Sequence, residues 1–256
     1  MNATKAVDAS PATSPALIAS KLHTIGLVLI LSGMAAAGFL AQHHAAVAGS
    51  AGSAAPAGQL ADHSQSVHIY LVALFADWAL FYYCYSGVRS RGGTLSSISG
   101  GRWTSAGDVW TDLTIAIPFW AIWEGIAYGV HYLLDLLHPA ASAATVASLL
   151  PKSVLETVLW ILLCLTAGFC EEFAFRGYLQ KQFHALSGNL AAAVVLQGIV
   201  FGITHGYQGW RNVVVITALG ILYGTLAAWR RNLRVNMISH AWSDAWEGWL
   251  KFLILR

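Results

Sequence analysis

The chain has 256 residues, 57% of them hydrophobic and only 10% charged, with a formal net charge of +2. A soluble domain carries about 25% charged residues, so the composition excludes an ordinary soluble globular protein. The near-neutral balance leaves no basic footprint and excludes nucleic acid as a partner.

The first 20 residues are rich in Ala, Ser, Pro and Thr, with only Lys5 and Asp8 charged, and read as a disordered tail. Residues 21–256 read as a single membrane domain, because no internal repeat is visible. The apolar run after Lys21 is read as a retained helix, although the AQHHAAVAGS that follows resembles a signal-peptidase site. Seven apolar segments reach or approach the roughly 20 residues that a spanning helix needs. They cover about 24–41, 67–87, 109–137, 154–176, 190–206, 212–229 and 235–255. The expected fold class is therefore an all-α, polytopic transmembrane helical bundle of about seven spans. The third segment is too long for one straight crossing, so it tilts or continues along the interface. Cys84, Cys164 and Cys170 lie singly inside apolar runs and read as packing residues, not as disulfides or zinc ligands.

With seven spans, the N-terminal side holds Lys5, Lys21, Arg89, Arg91, Arg102, Arg176, Lys181, Arg230, Arg231 and Arg234. The other side holds Lys152, Arg211, Lys251 and Arg256. The positive-inside rule then places the N-terminus in the cytoplasm and the C-terminus outside, in a cell (inner) membrane. The lipid bilayer is the first expected partner.

Ionisable residues inside such segments cost roughly 2.5–3.5 kcal/mol each at the bilayer centre, so they face the bundle interior. The sequence carries Asp77, Asp112, Glu124, His131, Asp135, Glu156, Glu171, Glu172, Arg176, His205, His240, Asp244 and Glu247 in this position. Three groups stand out. In CEEFAFRGYLQ, Glu172 and Arg176 are four apart and share a helical face, which suits a buried ion pair. Glu171 points about 100° away and cannot share Arg176 equally. A carboxylate so placed suits a general base or acid. In FGITH, Phe201 and His205 share a face. In HAWSD, His240 and Asp244 do the same, and can pair, polarise a carbonyl or hold a metal. Each group alone also fits a satisfied structural pair. Together they describe a cavity of two Glu, two His and an Asp able to activate water. His131 and Asp135 read as an interfacial, solvated pair, and Trp242, Trp246 and Trp249 as packing.

EEFAFR, FGITH and HAWSD, in that order, resemble the EExxxR, FxxxH and HxxxN motifs of the CPBP intramembrane protease family, with Asp for Asn in the last. That family includes the type II CAAX prenyl endopeptidases and the Abi-like bacteriocin-processing or immunity proteins. The resemblance covers about residues 150–246, the motif-bearing core. It implies an endopeptidase acting on a membrane-associated peptide or protein within the bilayer. It implies Glu171 and His205 as the water-activating pair, His240 and Asp244 at the oxyanion, and Arg176 holding Glu172. An ionised Asp244 cannot donate a hydrogen bond as an amide does, so it must be protonated or orient His240. HExxH is absent, which points away from a tightly bound metal. If a divalent ion such as Zn²⁺ is held, His205 and His240 are its ligands.

Two other readings use the same residues. A non-catalytic scaffold or immunity protein would keep the bundle without the chemistry. A proton-coupled transporter would use Asp77, Glu124 and Asp135 as a relay, but no inverted repeat supports it. The site residues also need to meet in depth. His205 comes late in its helix, and it reaches the level of Glu171 only if the fourth helix runs on through GYLQKQFHAL.

Overall fold

The computed structural model describes residues 15–50, 63–137 and 150–250. Among them every element is helical. In chain order they are α1 (Lys21–Ser50), α2 (His63–Ser90), the short α3 (Leu95–Ser99), α4 (Ala106–Leu137) and α5 (Val154–Glu172). A π-helical segment, Phe173–Leu179, leads from α5 into α6 (Gln180–Ser187). Then come α7 (Leu190–Thr204), a 3₁₀ turn at Gly206–Gln208, α8 (Trp210–Arg230), α9 (Arg234–Ala245) and a second π-helical segment, Trp246–Leu250.

The molecule is an all-α membrane bundle. Five helical stretches are long and apolar enough to cross a bilayer: Lys21–Leu40, Gln65–Ser90, Ala106–Leu137, Val154–Ser187 and Trp210–Arg230. Within their most apolar windows only 17% to 44% of residues are buried. The remainder includes Leu29, Phe75, Ile117, Leu165 and Trp229, all exposed, as expected where lipid replaces water as the solvent. Two of the seven predicted segments are shorter than a full crossing. Helix α7 is apolar but has 15 residues, about 22 Å. The last segment is 12 residues of α-helix before it widens at Trp246, and residues 251–256 lie outside the described ones. The third segment forms one unbroken helix of 32 residues that contains Pro118.

Residues 1–14 of the predicted tail, and 51–62 of the loop that follows the first span, lie outside the described residues. The end of that tail is held in place. Ile18 and Ala19 donate their N–H groups to Gln182 Oε1, and Ala19 is buried. The loop between the second and third spans contains α3, capped by Thr94 and Ser97. It is anchored by Lys181 Nζ, which donates to the carbonyls of Ser97 and Ile98.

Two local features bring the motif helices together. At the α7–α8 crossing, Gly198 faces Gly220, and a Cβ on Gly220 would lie 2.7 Å from Gly198 Cα. Only glycine lets these backbones approach, as small-residue motifs do in membrane helices. Gly168 does the same for α5 against α9, where a Cβ would lie 2.7 Å from Met237 O. The core between them is aromatic, with Phe173, Phe175, Tyr178, Phe201 and Tyr223 all buried, and Arg176 is buried among them.

Candidate active site

Glu172 sits where α5 widens into its π-helical segment. All seven residues Phe173–Leu179 are buried, so no face of this stretch is left for solvent, and a charge placed there must find its partners inside the bundle. π-turns of this kind recur at functional sites. Arg176 Nη1 donates to Glu172 Oε1 at 2.7 Å, with both side chains at or below 1% exposure. The guanidinium also donates to Gly220 O at 3.4 Å, and lies 4.3 Å from the Phe201 ring centroid and 5.3 Å from that of Tyr223. His240 Nδ1 lies 2.8 Å from the same Glu172 oxygen, and Asn236 Nδ2 donates to Oε2 at 3.1 Å. Glu172 is thus saturated: it neutralises Arg176 and orients His240.

Glu171 has a different setting. Its Oε2 is buried without a hydrogen-bond partner and lies 3.8 Å from His240 Nε2. Asp244 Oδ2 lies 3.7 Å from that same nitrogen. With Nδ1 committed to Glu172, His240 presents its Nε2 edge to two carboxylates that it does not fully engage.

His205 joins the group by register. The chain passes from α6 to α7 through Gly188 and Asn189, which caps α7 by accepting from Ala192 N. The two stretches therefore run antiparallel. Phe201 packs against Phe175 and Arg176. Four residues onward from Phe201 is His205, and four residues back from Arg176 is Glu172, so both lie at one depth. The expected continuation of the fourth helix is present, since Val154–Ser187 is helical throughout. His205 Nδ1 lies 2.8 Å from Phe201 O. The carbonyl can only accept, so this contact places the proton on Nδ1 and makes Nε2 the basic atom. The Phe201 ring packs on both imidazoles, its centroid 4.8 Å from that of His205 and 6.0 Å from that of His240. His205 makes no direct polar contact with Glu171.

One further acid reaches the site. On α2, Tyr70, Phe81, Cys84 and Val88 form a buried stripe, and Asp77 occupies the position in that stripe between Tyr70 and Phe81. Tyr70 packs on Trp160, and Phe81 on Phe169 and Phe173. This parallel register sets Asp77 beside the last turns of α5. Its carboxylate interacts electrostatically with Glu171, Asp244 and His240. The sequence marks Asp77 as an intramembrane acid, and its heptad-like position in the stripe is the signal that it faces this cluster.

Three other charges named from the sequence have separate tasks. Asp112 accepts from Arg230, Arg234 and Trp103 at 2.7–2.8 Å, tying α4 to α8 and α9. Asp135 pairs with Arg211 at 2.7 Å at an exposed position. Glu156 accepts from Lys152 N at the start of α5. Trp242 and Trp246 pack on Trp120 of α4.

Among the described residues, no three His, Cys, Asp or Glu side chains converge on one point suited to a metal. His240 turns Nδ1 to Glu172, and His205 turns Nδ1 to a carbonyl. These residues do not fit a structural or catalytic zinc site, which needs at least three protein ligands.

Residues 153–246 match the family model of the type II CAAX prenyl endopeptidases, Rce1-like. The matched stretch contains all three motifs and supports the CPBP resemblance read from them. Neither the curated proteins nor the solved structures provide a match to the chain.

Proposed function

We propose that this multi-pass membrane protein is an intramembrane endopeptidase that hydrolyses a peptide bond by direct attack of water. The observation that carries this reading is the division of labour between two adjacent glutamates: Glu172 is saturated by Arg176, His240 and Asn236, while Glu171 keeps a buried oxygen with no hydrogen-bond partner. The matched family model adds the class of chemistry.

In this scheme Glu171 takes a proton from water, and His205 Nε2 orients that water. The water oxygen bonds to the scissile carbonyl carbon as the carbonyl π electrons move onto oxygen. His240, held by Glu172 and flanked by Asp244, faces the resulting oxyanion. On collapse the C–N bond breaks, and Glu171 returns its proton to the leaving nitrogen. The substrate is a membrane-associated peptide or protein. A prenylated C-terminal peptide is the first to try, because the matched family is named for it. The proposed orientation is N-terminus in the cytoplasm and C-terminus outside, in the cell membrane.

The test uses the full chain in proteoliposomes with a peptide ending in a farnesylated CAAX sequence and its unprenylated counterpart. Glu171→Gln and His205→Ala are expected to lose cleavage while their unfolding profiles stay like wild type. Full activity in either variant would rule out the glutamate–histidine scheme. A folded wild-type chain that leaves both peptides intact would favour the non-catalytic scaffold.

A further inference from the structure

Helices α4 and α8 leave a groove of about 300 Å³ between them, lined by Ile115, Pro118, Phe119, Leu222, Leu226 and Trp229 with Ile122 and Thr225. Ile122 and Trp229 are exposed, so the groove opens outward, onto lipid in a membrane. Apart from the indole N–H of Trp229, its side-chain lining has one polar group, the Thr225 hydroxyl, and that donates to Ile221 O of its own helix. The groove follows α4 from Ile115 to Ile122, about 10 Å at 1.5 Å per residue. The hydrocarbon of one leaflet is roughly 15 Å deep.

One end of this apolar groove is cationic. The Arg230 guanidinium carbon lies 5.8 Å from the ring centroid of Trp229, a groove residue. Arg230 Nη2 donates at 2.8 Å to Asp112, which sits one turn before Ile115 on α4. Arg234 donates to Asp112 as well, and to the carbonyl of Arg102 at 3.3 Å. Arg102, Arg230, Arg231 and Arg234 thus gather where the loop before α4 meets the turn from α8 to α9. The two acids nearby are already engaged. Asp112 is buried and shared by Arg230, Arg234 and Trp103, and Asp108 accepts from Thr104 and Ser105. The donors are not exhausted. Arg102 and Arg231 are exposed, and their side chains make no hydrogen bond or ion pair among the described residues. Arg230 Nε is buried without a hydrogen-bond partner.

Arg231 is held there against its backbone preference. It caps α8 at φ 56°, ψ 21°, the left-handed region that favours glycine. Among the described residues it is the one non-glycine residue with positive φ. A helix C-terminus does favour a cation, but Arg230 in the last turn already supplies one. A strained residue kept at such a place points to a use for its side chain. The exposed indoles of Trp103 and Trp229 flank the arginines, as aromatic side chains do at the headgroup level.

We propose that the groove between α4 and α8 is a binding site for one anionic phospholipid, with an acyl chain lying along Ile115–Ile122 and the phosphate headgroup met by Arg102, Arg230 and Arg231. Charge complementarity selects this occupant. A basic pocket between membrane helices recognises anionic headgroups, and an apolar trough running away from it takes the attached chain.

The experiment is native mass spectrometry of the full chain in a neutral detergent, titrated with dioleoyl phosphatidylglycerol, dioleoyl phosphatidylcholine or glycerol 3-phosphate. Thermal unfolding is followed in parallel. The expected result is one phosphatidylglycerol held per chain, about tenfold or more tighter than phosphatidylcholine, and not displaced by glycerol 3-phosphate. Arg231→Gly removes the charge and gives the left-handed position its preferred residue, so it should unfold no earlier than wild type. It should weaken phosphatidylglycerol about fivefold, and adding Arg102→Gln should weaken it about fivefold again, with phosphatidylcholine little changed. Thr225→Phe, which fills the groove and leaves every arginine in place, should also weaken phosphatidylglycerol while the unfolding midpoint stays near wild type. Equal binding of the two lipids, or wild-type phosphatidylglycerol affinity in either the double arginine variant or Thr225→Phe, overturns the site. Displacement by glycerol 3-phosphate marks a site for a free phosphate and overturns it too. So does displacement by the farnesylated CAAX peptide, which gives the groove to a prenyl chain, or by formation of a two-chain species, which makes it an interface between copies.

Discussion

The two adjacent glutamates should separate stability from activity. Glu172→Gln keeps the shape of the side chain but removes the charge that compensates Arg176, which is itself 1% exposed. Removing one member of a buried ion pair costs about 3–5 kcal/mol, mostly because the other charge is left buried and uncompensated. Here the loss is compounded, since His240 also rests on Glu172 Oε1 at 2.8 Å. For a chain of this size that corresponds to a fall in the unfolding midpoint of about 6–20 °C. Glu171→Gln removes a carboxylate whose Oε2 has no hydrogen-bond partner and which shares its surroundings with Asp77 and Asp244. Its effect on stability should stay within about 1 kcal/mol and can be stabilising. The assay is thermal unfolding of the purified variants in the same detergent, followed by circular dichroism. Equal destabilisation by the two substitutions, or an unaffected Glu172→Gln, would refute the assignment of Glu172 as the structural carboxylate and Glu171 as the free one.

Other outcomes follow from the packing. Gly220→Val places side-chain atoms against the Gly198 backbone, so α7 and α8 must separate; a loss of about 1–3 kcal/mol or more, with loss of cleavage as His205 moves, is the result to look for in unfolding and activity assays. Asp112→Ala releases Arg230, Arg234 and Trp103 at once. Both arginine side chains are about a fifth exposed and can turn to water, so the cost should be limited to about 1–3 kcal/mol, measured by denaturation in mixed micelles. Gln182→Ala removes the acceptor for Ile18 and Ala19 N–H, and limited proteolysis should then cut faster ahead of α1 than in the wild type.

Much of the site could be read from the sequence because its pairs are local. Glu172 with Arg176 and His240 with Asp244 are each four apart, and helical geometry alone brings them face to face. The depth match of His205 with Glu172 was legible only as a condition, that the fourth helix continue, and the helix does continue to Ser187. What the sequence did not reveal depends on contacts between distant segments. The bond from His240 to Glu172 spans 68 residues, and no local pattern encodes it. Asp77 reaches the site because α2 packs in register with α5, a consequence of Tyr70 and Phe81 finding Trp160, Phe169 and Phe173. The π-helical widening at Phe173 has no simple residue signature; it goes with burial on every side, which only the assembled bundle imposes. The short α3 was hidden in a Gly- and Ser-rich loop, where its capping residues Thr94 and Ser97 look like ordinary turn formers.

The central claim is that Glu171 activates water for direct attack on a peptide bond. The most direct measurement is mass spectrometry of products and protein after a single turnover in H₂¹⁸O, with the full chain in proteoliposomes and the farnesylated CAAX peptide. The account predicts one ¹⁸O in the new C-terminal carboxylate, an unmodified protein mass throughout, and no product from Glu171→Gln. An acyl adduct on the chain, or product formed at the wild-type rate by Glu171→Gln, would contradict it.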